Sequence, residues 1–124
     1  MDSLTPNFFV KDINQTINFY KILGFEVIMT VPEQSPFVWV MMANESVSLI
    51  FQSFESLDDE LPQINRTDGG SLIFYIKMKG ILDFFNKISD SVEVVKGLGK
   101  TFYGATEFSI LDNNGYVLTF AEDL

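Results

Sequence analysis

Apolar and polar positions along this chain fall into short runs, and the order of those runs comes twice. Residues 4–10 read as a strand. Asp12 then stands as an N-cap, with Gln15 placed for a capping-box-like arrangement. Ile13, Ile17, Phe19, Tyr20 and Leu23 follow at helical spacing until Gly24 ends the helix. Runs 25–30, 37–42 and 47–51 are three further strands. After an acidic connector at 53–70 that contains Pro and Gly, the order returns as strand 71–78, helix 81–88 and strands 92–96, 105–111 and 116–121. Phe8-Phe9-Val10-Lys11 matches Phe74-Tyr75-Ile76-Lys77, and Phe19 and Ile22 match Phe85 and Ile88, all at an offset of 66 residues. The pattern is βαβββ twice, an α+β fold of one domain over 1–124, with a first module at 1–52 and a second at 71–124. Two copies of one unit, each with a curved mixed sheet, are expected to enclose a cavity.

Alternation along the strands separates their two faces. Asp112-Asn113-Asn114-Gly115 suits a type I turn with Gly115 in the left-handed bulge position. That turn puts Phe108, Ile110, Leu118 and Phe120 on one apolar face, under the helices. Glu107, Ser109, Thr119 and Ala121 face the other way. In the first module Val38, Val40, Val47, Leu49 and Phe51 form the helix-covered face. Phe37, Trp39, Met41, Ser48, Ile50 and Gln52 line the opposite one. Thr5, Asn7 and Phe9 match Ser71, Ile73 and Tyr75 by the same parity. A face that mixes Trp, Phe, Met and Tyr with a few polar groups has the make-up of a small-molecule pocket. It is equally the make-up of a filled core or a subunit interface.

Composition narrows the chemistry. The 124 residues suffice to bury roughly two thirds of the unfolded surface, and 13 Phe argue for a packed core. The absence of cysteine removes thiolate nucleophiles, disulfides and zinc-thiolate sites. The absence of histidine removes the commonest metal ligand and neutral-pH base. A net charge of −9 opposes nucleic acid and anionic membrane surfaces, and it favours solubility or a cationic small molecule. No apolar run is long enough to span a membrane, and the first ten residues lack the basic start and apolar stretch of a secretory signal. The cytoplasm is the expected location. The Asn-x-Ser/Thr triplets at Asn14, Asn44 and Asn65 are then chance occurrences.

Residues 12–24 (DINQTINFYKILG), the doubled βαβββ order and residues 102–123 (FYGATEFSILDNNGYVLTFAED) resemble the vicinal-oxygen-chelate superfamily of glyoxalase I, extradiol dioxygenases and bleomycin-resistance proteins. Tyr103-Gly104-Ala105-Thr106-Glu107-Phe108 is similar to the aromatic-Gly-x-Arg-Glu-Phe stretch of the bleomycin-resistance type. Here Thr106 stands where Arg is usual, and Asn113 where the turn usually has Pro. The resemblance implies that enzymes of the group hold a divalent metal through His, Gln or Glu at matched strand positions. Those positions fall on Thr5, Ser48, Ser71 and Thr119 of this chain. Neutral hydroxyls are weak ligands, so no metal site and no cofactor are expected. The resemblance also implies a homodimer that covers exposed sheet edges.

Three other stretches hold less. Asp58-Asp59-Glu60 reads as a solvated charge run or a cation-attracting pocket mouth. Asp112-x-Asn114-Gly115 reads as a turn, since the further ligands of a calcium loop are missing. Gly97-Leu98-Gly99-Lys100 reads as a loop, since the Walker spacing is missing. Glu107 is the one carboxylate expected to face the cavity from a strand. Three roles are open to it: general base, counter-charge to a cation, or structural hydrogen bonding. The sequence thus points to a metal-independent protein that sequesters a cationic or aromatic ligand, as bleomycin-resistance proteins do. The ligand residues would be Phe37, Trp39, Met41, Ser48, Ile50, Gln52, Tyr75, Tyr103, Glu107, Ser109 and Thr119. A glyoxalase-like or dioxygenase-like enzyme is the alternative.

Overall fold

The computed structural model describes residues 1–57, 61, 64 and 72–123. Ser71, Asn65 and the Asp58-Asp59-Glu60 run lie outside the described residues. The chain divides into two compact units, Met1–Thr67 and Asp68–Leu124. The first contains β1 (Asn7–Val10), α1 (Ile13–Ile22), β2 (Glu26–Val31), β3 (Trp39–Asn44), β4 (Val47–Ser53) and the short α2 (Phe54–Leu57). The second contains β5 (Ile73–Lys77), α3 (Ile81–Ile88), β6 (Glu93–Lys100), β7 (Ala105–Leu111) and β8 (Val117–Asp123). Each unit is an open four-stranded sheet, ordered β1-β4-β3-β2 in one and β5-β8-β7-β6 in the other. In both, the first strand runs parallel to the last, and the remaining pairs are antiparallel. This is the α+β architecture of two βαβββ modules. Among the described residues no helix is long and apolar enough to cross a membrane.

Local chemistry accounts for the first helix. Asp12 accepts from the Gln15 N–H at 3.0 Å and caps α1. At the other end Gly24 takes φ 95°, a left-handed conformation suited to glycine. Its N–H donates to the Lys21 carbonyl, and that of Phe25 donates to the Tyr20 carbonyl, each at 3.0 Å. These two bonds form the Schellman pattern. The apolar contact that accompanies it is the packing of Tyr20 on Phe25, with ring centroids 5.7 Å apart. Tyr20 also lies on Phe51, 4.5 Å between centroids, and so joins α1 to the covered face of the sheet. Phe8, Val10, Val40, Met42, Leu49 and Phe51 complete that buried layer.

In the second unit Phe84 and Phe85 of α3 pack on Phe120 and Phe108, with centroids 5.1 and 5.0 Å apart. Phe108, Ile110, Leu118 and Phe120 are buried there, as alternation from the Gly115 turn requires. Gly115 has φ 85°, and the Asp112 carboxylate accepts from the Asn114 and Tyr116 N–H groups at 2.8 and 2.9 Å. The stretch is a turn, as expected from its sequence.

Several expectations change. The first strand begins at Asn7 rather than residue 4. Ser53 extends β4, and α2 occupies the start of the stretch read as connector. Val38 precedes β3 and is exposed rather than covered. Gly97-Leu98-Gly99-Lys100 is not a loop but the end of β6, whose pairing with β7 shifts between Val94 and Lys96 and again between Lys96 and Gly99. The offset of 66 holds for the strands β1 and β5 but not for the helices. Ile22 is 40% exposed whereas Ile88 is 1% exposed. The inward residues Ile13 and Tyr20 of α1 correspond instead to Ile81 and Ile88 of α3. Two extra residues before α3 turn the helix so that a different set faces its sheet.

Candidate functional site

Register in the second unit brings the polar residues into rows. Tyr75 on β5 pairs with Thr119 on β8, Thr119 with Ser109 on β7, and Ser109 with Lys96 on β6. Paired residues share a face of a sheet, so these four side chains form one line across it. In the adjacent row Glu107 lies between Ala121 and Gly99. Both neighbours are small, and a Cβ added to Gly99 would meet nothing closer than 4.0 Å.

Glu107 is only 7% exposed. Tyr75, whose strand is separated from β7 by β8, donates its phenolic hydrogen to Glu107 Oε2. Tyr103 donates to the same oxygen at 2.5 Å. It sits in the loop between β6 and β7, held by the Thr101 N–H to Ala105 carbonyl bond at 2.8 Å and by Ala105 N–H donating to Thr101 Oγ1 at 3.0 Å. Gly104 closes that loop at φ 85°. The two phenols, Tyr103 first, hold the Glu107 carboxyl below the usual carboxylate range; burial opposes them, and Lys96 helps slightly. Reciprocally, the hydrogen bond to Glu107, then desolvation, pushes both phenols above the ordinary tyrosine value. Glu107 is therefore an anion at neutral pH. Ser109 and Thr119 share a hydroxyl–hydroxyl bond of 2.8 Å beside it.

In the first unit the corresponding face carries Phe9, Gln52, Trp39 and Val31 in one row, and Asn7, Ile50, Met41 and Met29 in the next. Gln52 Oε1 accepts from Asn7 at 3.1 Å, and its Nε2 donates to Ser56 Oγ at 3.1 Å. Trp39, Met41, Ile50 and Gln52 are thus gathered on one face and half-buried. Ser48 lies toward the far end of the same strand, opposite Ala43, and Phe37 lies before β3. Phe9 is covered by Phe54 of α2, a contact hidden inside the supposed connector. Tyr75, Tyr103, Glu107, Ser109 and Thr119 are gathered on the second unit's face.

Two features escaped the sequence reading. Lys96 joins the polar row because β6 continues past it with two register irregularities, which parity alone does not reveal. The strand registers also correct the matching of positions. Thr119 pairs with Tyr75 as Gln52 pairs with Phe9, so Gln52, not Ser48, is the counterpart of Thr119. The amide of Gln52 and the hydroxyl of Thr119 are both already engaged. Among the described residues no three His, Cys, Asp or Glu side chains gather to hold an ion. Thr119 offers a neutral hydroxyl, a weak ligand, whereas Gln52 is one of the ligand types that the resemblance implies.

The description that matches residues 2–120 is the Glyoxalase/Bleomycin resistance protein/Dioxygenase superfamily. The chain belongs to that superfamily. Solved structures with the same fold include a glyoxalase/bleomycin resistance protein/dioxygenase family enzyme from Burkholderia phytofirmans PsJN, with TM-score 0.78 and 20% identity, covering 97% of each chain. TioX from Micromonospora sp. ML1 has TM-score 0.79 and 12% identity over 100% of both chains. A bleomycin-binding protein in complex with bleomycin has TM-score 0.71 and 17% identity, also over 100% of both. A search of curated proteins finds no match.

Proposed function

We propose that this chain binds a small cationic or aromatic organic molecule and sequesters it without a metal ion. The observation that carries the reading is Glu107, a nearly buried carboxylate between the small cross-strand neighbours Ala121 and Gly99, held ionised by two half-exposed tyrosines. An aromatic frame around a fixed negative charge suits a cationic guest through cation–π contact and direct charge pairing. The net charge of −9 attracts the same class of molecule. The existence of a protein of this fold that binds bleomycin supports capture of a drug or toxin as the physiological use.

An enzymatic role for Glu107 as general base has less support, because a base poised for neutral pH needs a raised pKa and this one is lowered. The reading includes a homodimer. β2 is a sheet edge whose Val27, Ile28, Met29 and Val31 side chains are all exposed, and a second copy is the occupant that would cover it. A thermal-shift screen of cationic and aromatic compounds, with and without added divalent metal, tests the proposal. Metal-independent stabilisation by members of that class is expected. Stabilisation that requires metal, or none from any compound, overturns it.

A further inference from the structure

We infer that the Glu107 site is built for a primary ammonium group, a specification that rests on the binding reading above. The inference follows from counting hydrogens. An ionised carboxylate only accepts, so both phenols that reach Glu107 Oε2 must donate to it. Each tyrosine has one hydroxyl hydrogen, and here each is spent. Tyr75 and Tyr103 therefore present only oxygen lone pairs to anything that approaches. Among the described residues no hydrogen bond reaches the second carboxylate oxygen, Oε1. Among the described residues no side-chain oxygen sealed from solvent is left without a partner, so Oε1 is not fully sealed.

Around the carboxylate the site thus offers three acceptor oxygens and one full negative charge, with Lys96 the nearby cationic donor. Both phenol oxygens lie beside one carboxylate oxygen, and the free acceptor belongs to the same carboxyl group, so the three fall within one small patch. A primary ammonium carries three N–H donors and one positive charge, and it matches that set in number and sign. A quaternary ammonium brings the charge but no donor. An anion meets the like charge of the carboxylate. The organic part of the amine has an aromatic surface to lie on. Tyr75 is 48% and Tyr103 57% exposed, and Phe102, 5.0 Å from the Tyr103 ring, is 99% exposed. Lys77 on the same face is already paired with Asp123 at 3.0 Å. Lys96 is the remaining cation that acts on Glu107.

Three probes with a common ring separate these cases: benzylammonium, benzyltrimethylammonium and benzoate, titrated calorimetrically at neutral pH. Benzylammonium is expected to bind about tenfold or more tightly than its trimethyl analogue, because charge-assisted hydrogen bonds are lost in the latter, and benzoate is expected not to bind. Glu107→Gln should weaken benzylammonium by about tenfold, and Tyr103→Phe, which keeps the ring and removes one acceptor, by about threefold. Tyr103 is half-exposed, so that variant keeps the fold even if Glu107→Gln does not. Equal affinity for the two ammonium ions, tighter binding of benzoate, no benzylammonium binding, or unchanged affinity in Tyr103→Phe each overturns the inference. Neutral aromatic compounds that bind irrespective of Glu107 would overturn it and leave the broader binding proposal standing.

Discussion

Tyr103 donates its phenolic hydrogen to Glu107 Oε2, four positions further along the chain, across 2.5 Å. The tight loop closed by Gly104 folds the ring back over the strand that carries the carboxylate. With Tyr75 reaching the same oxygen from β5, a strand and a loop distant in sequence are fastened to one charge.

Stability should therefore depend on pH at both ends. The Glu107 pKa is lowered in the folded state, so its contribution is present above the ordinary carboxylate value and is lost as pH falls through the folded value. Tyr75 and Tyr103 are raised, so theirs is present below the ordinary phenol value of about 10 and is lost as pH climbs through the folded values. The melting-temperature difference between wild type and Tyr103→Phe should be largest at neutral pH and shrink in acid and in alkali. A difference constant across the whole range would count against this coupling.

Gly24→Ala should destabilise the first unit by about 1–2 kcal/mol, because a side chain at φ 95° is strained. The added Cβ would also lie 3.0 Å from Asn44 Nδ2, which donates to the Leu23 carbonyl. Gly97→Ala, where a Cβ meets nothing within 4 Å, should change stability by no more than about 0.5 kcal/mol. Urea unfolding of both variants makes the comparison.

Trp39 is the single tryptophan and sits half-buried in the row with Phe9, Gln52 and Val31. If this face takes part in binding, a ligand should change Trp39 fluorescence directly. Trp39→Ala should weaken a cationic guest by about 2- to 30-fold, the worth of one cation–π contact. Unchanged affinity in a folded variant would remove the first unit's face from the site.

Much of this was legible in the sequence because strand alternation has a strict period. Phe108, Ile110, Leu118 and Phe120 followed from the Gly115 turn, and so did the opposite placement of Glu107, Ser109 and Thr119. Helical phase was less legible. Ile22 and Ile88 align as letters, but a two-residue insertion before α3 rotates one of them outward. Long-range partners left no local trace. Gly80 starts α3 with no side chain to cap it, and Glu122 on β8 supplies the acceptors, 3.1 Å from the Gly80 N and 3.0 Å from the Ile81 N. In the first unit Asp12 does this work from within its own helix, which is why only that cap was visible. The phenol–carboxylate bonds of Glu107 likewise depend on which strand lies beside which.

The exposed edge of β2 leads to the dimer expectation. Light scattering on the wild type should give twice the chain mass at micromolar concentration, and a double change of Ile28 and Met29 to lysine should shift it toward the monomer. A wild-type monomer would contradict the proposed pairing.

The central claim is metal-free capture centred on Glu107. The most direct measurement is calorimetric titration of a compound found by the thermal screen, in buffer with a strong chelator, into wild type and Glu107→Gln. The account predicts that the chelator leaves wild-type affinity unchanged, whereas Glu107→Gln lowers it by about tenfold. Loss of wild-type binding in the chelator, or equal affinity in the two proteins, would contradict it.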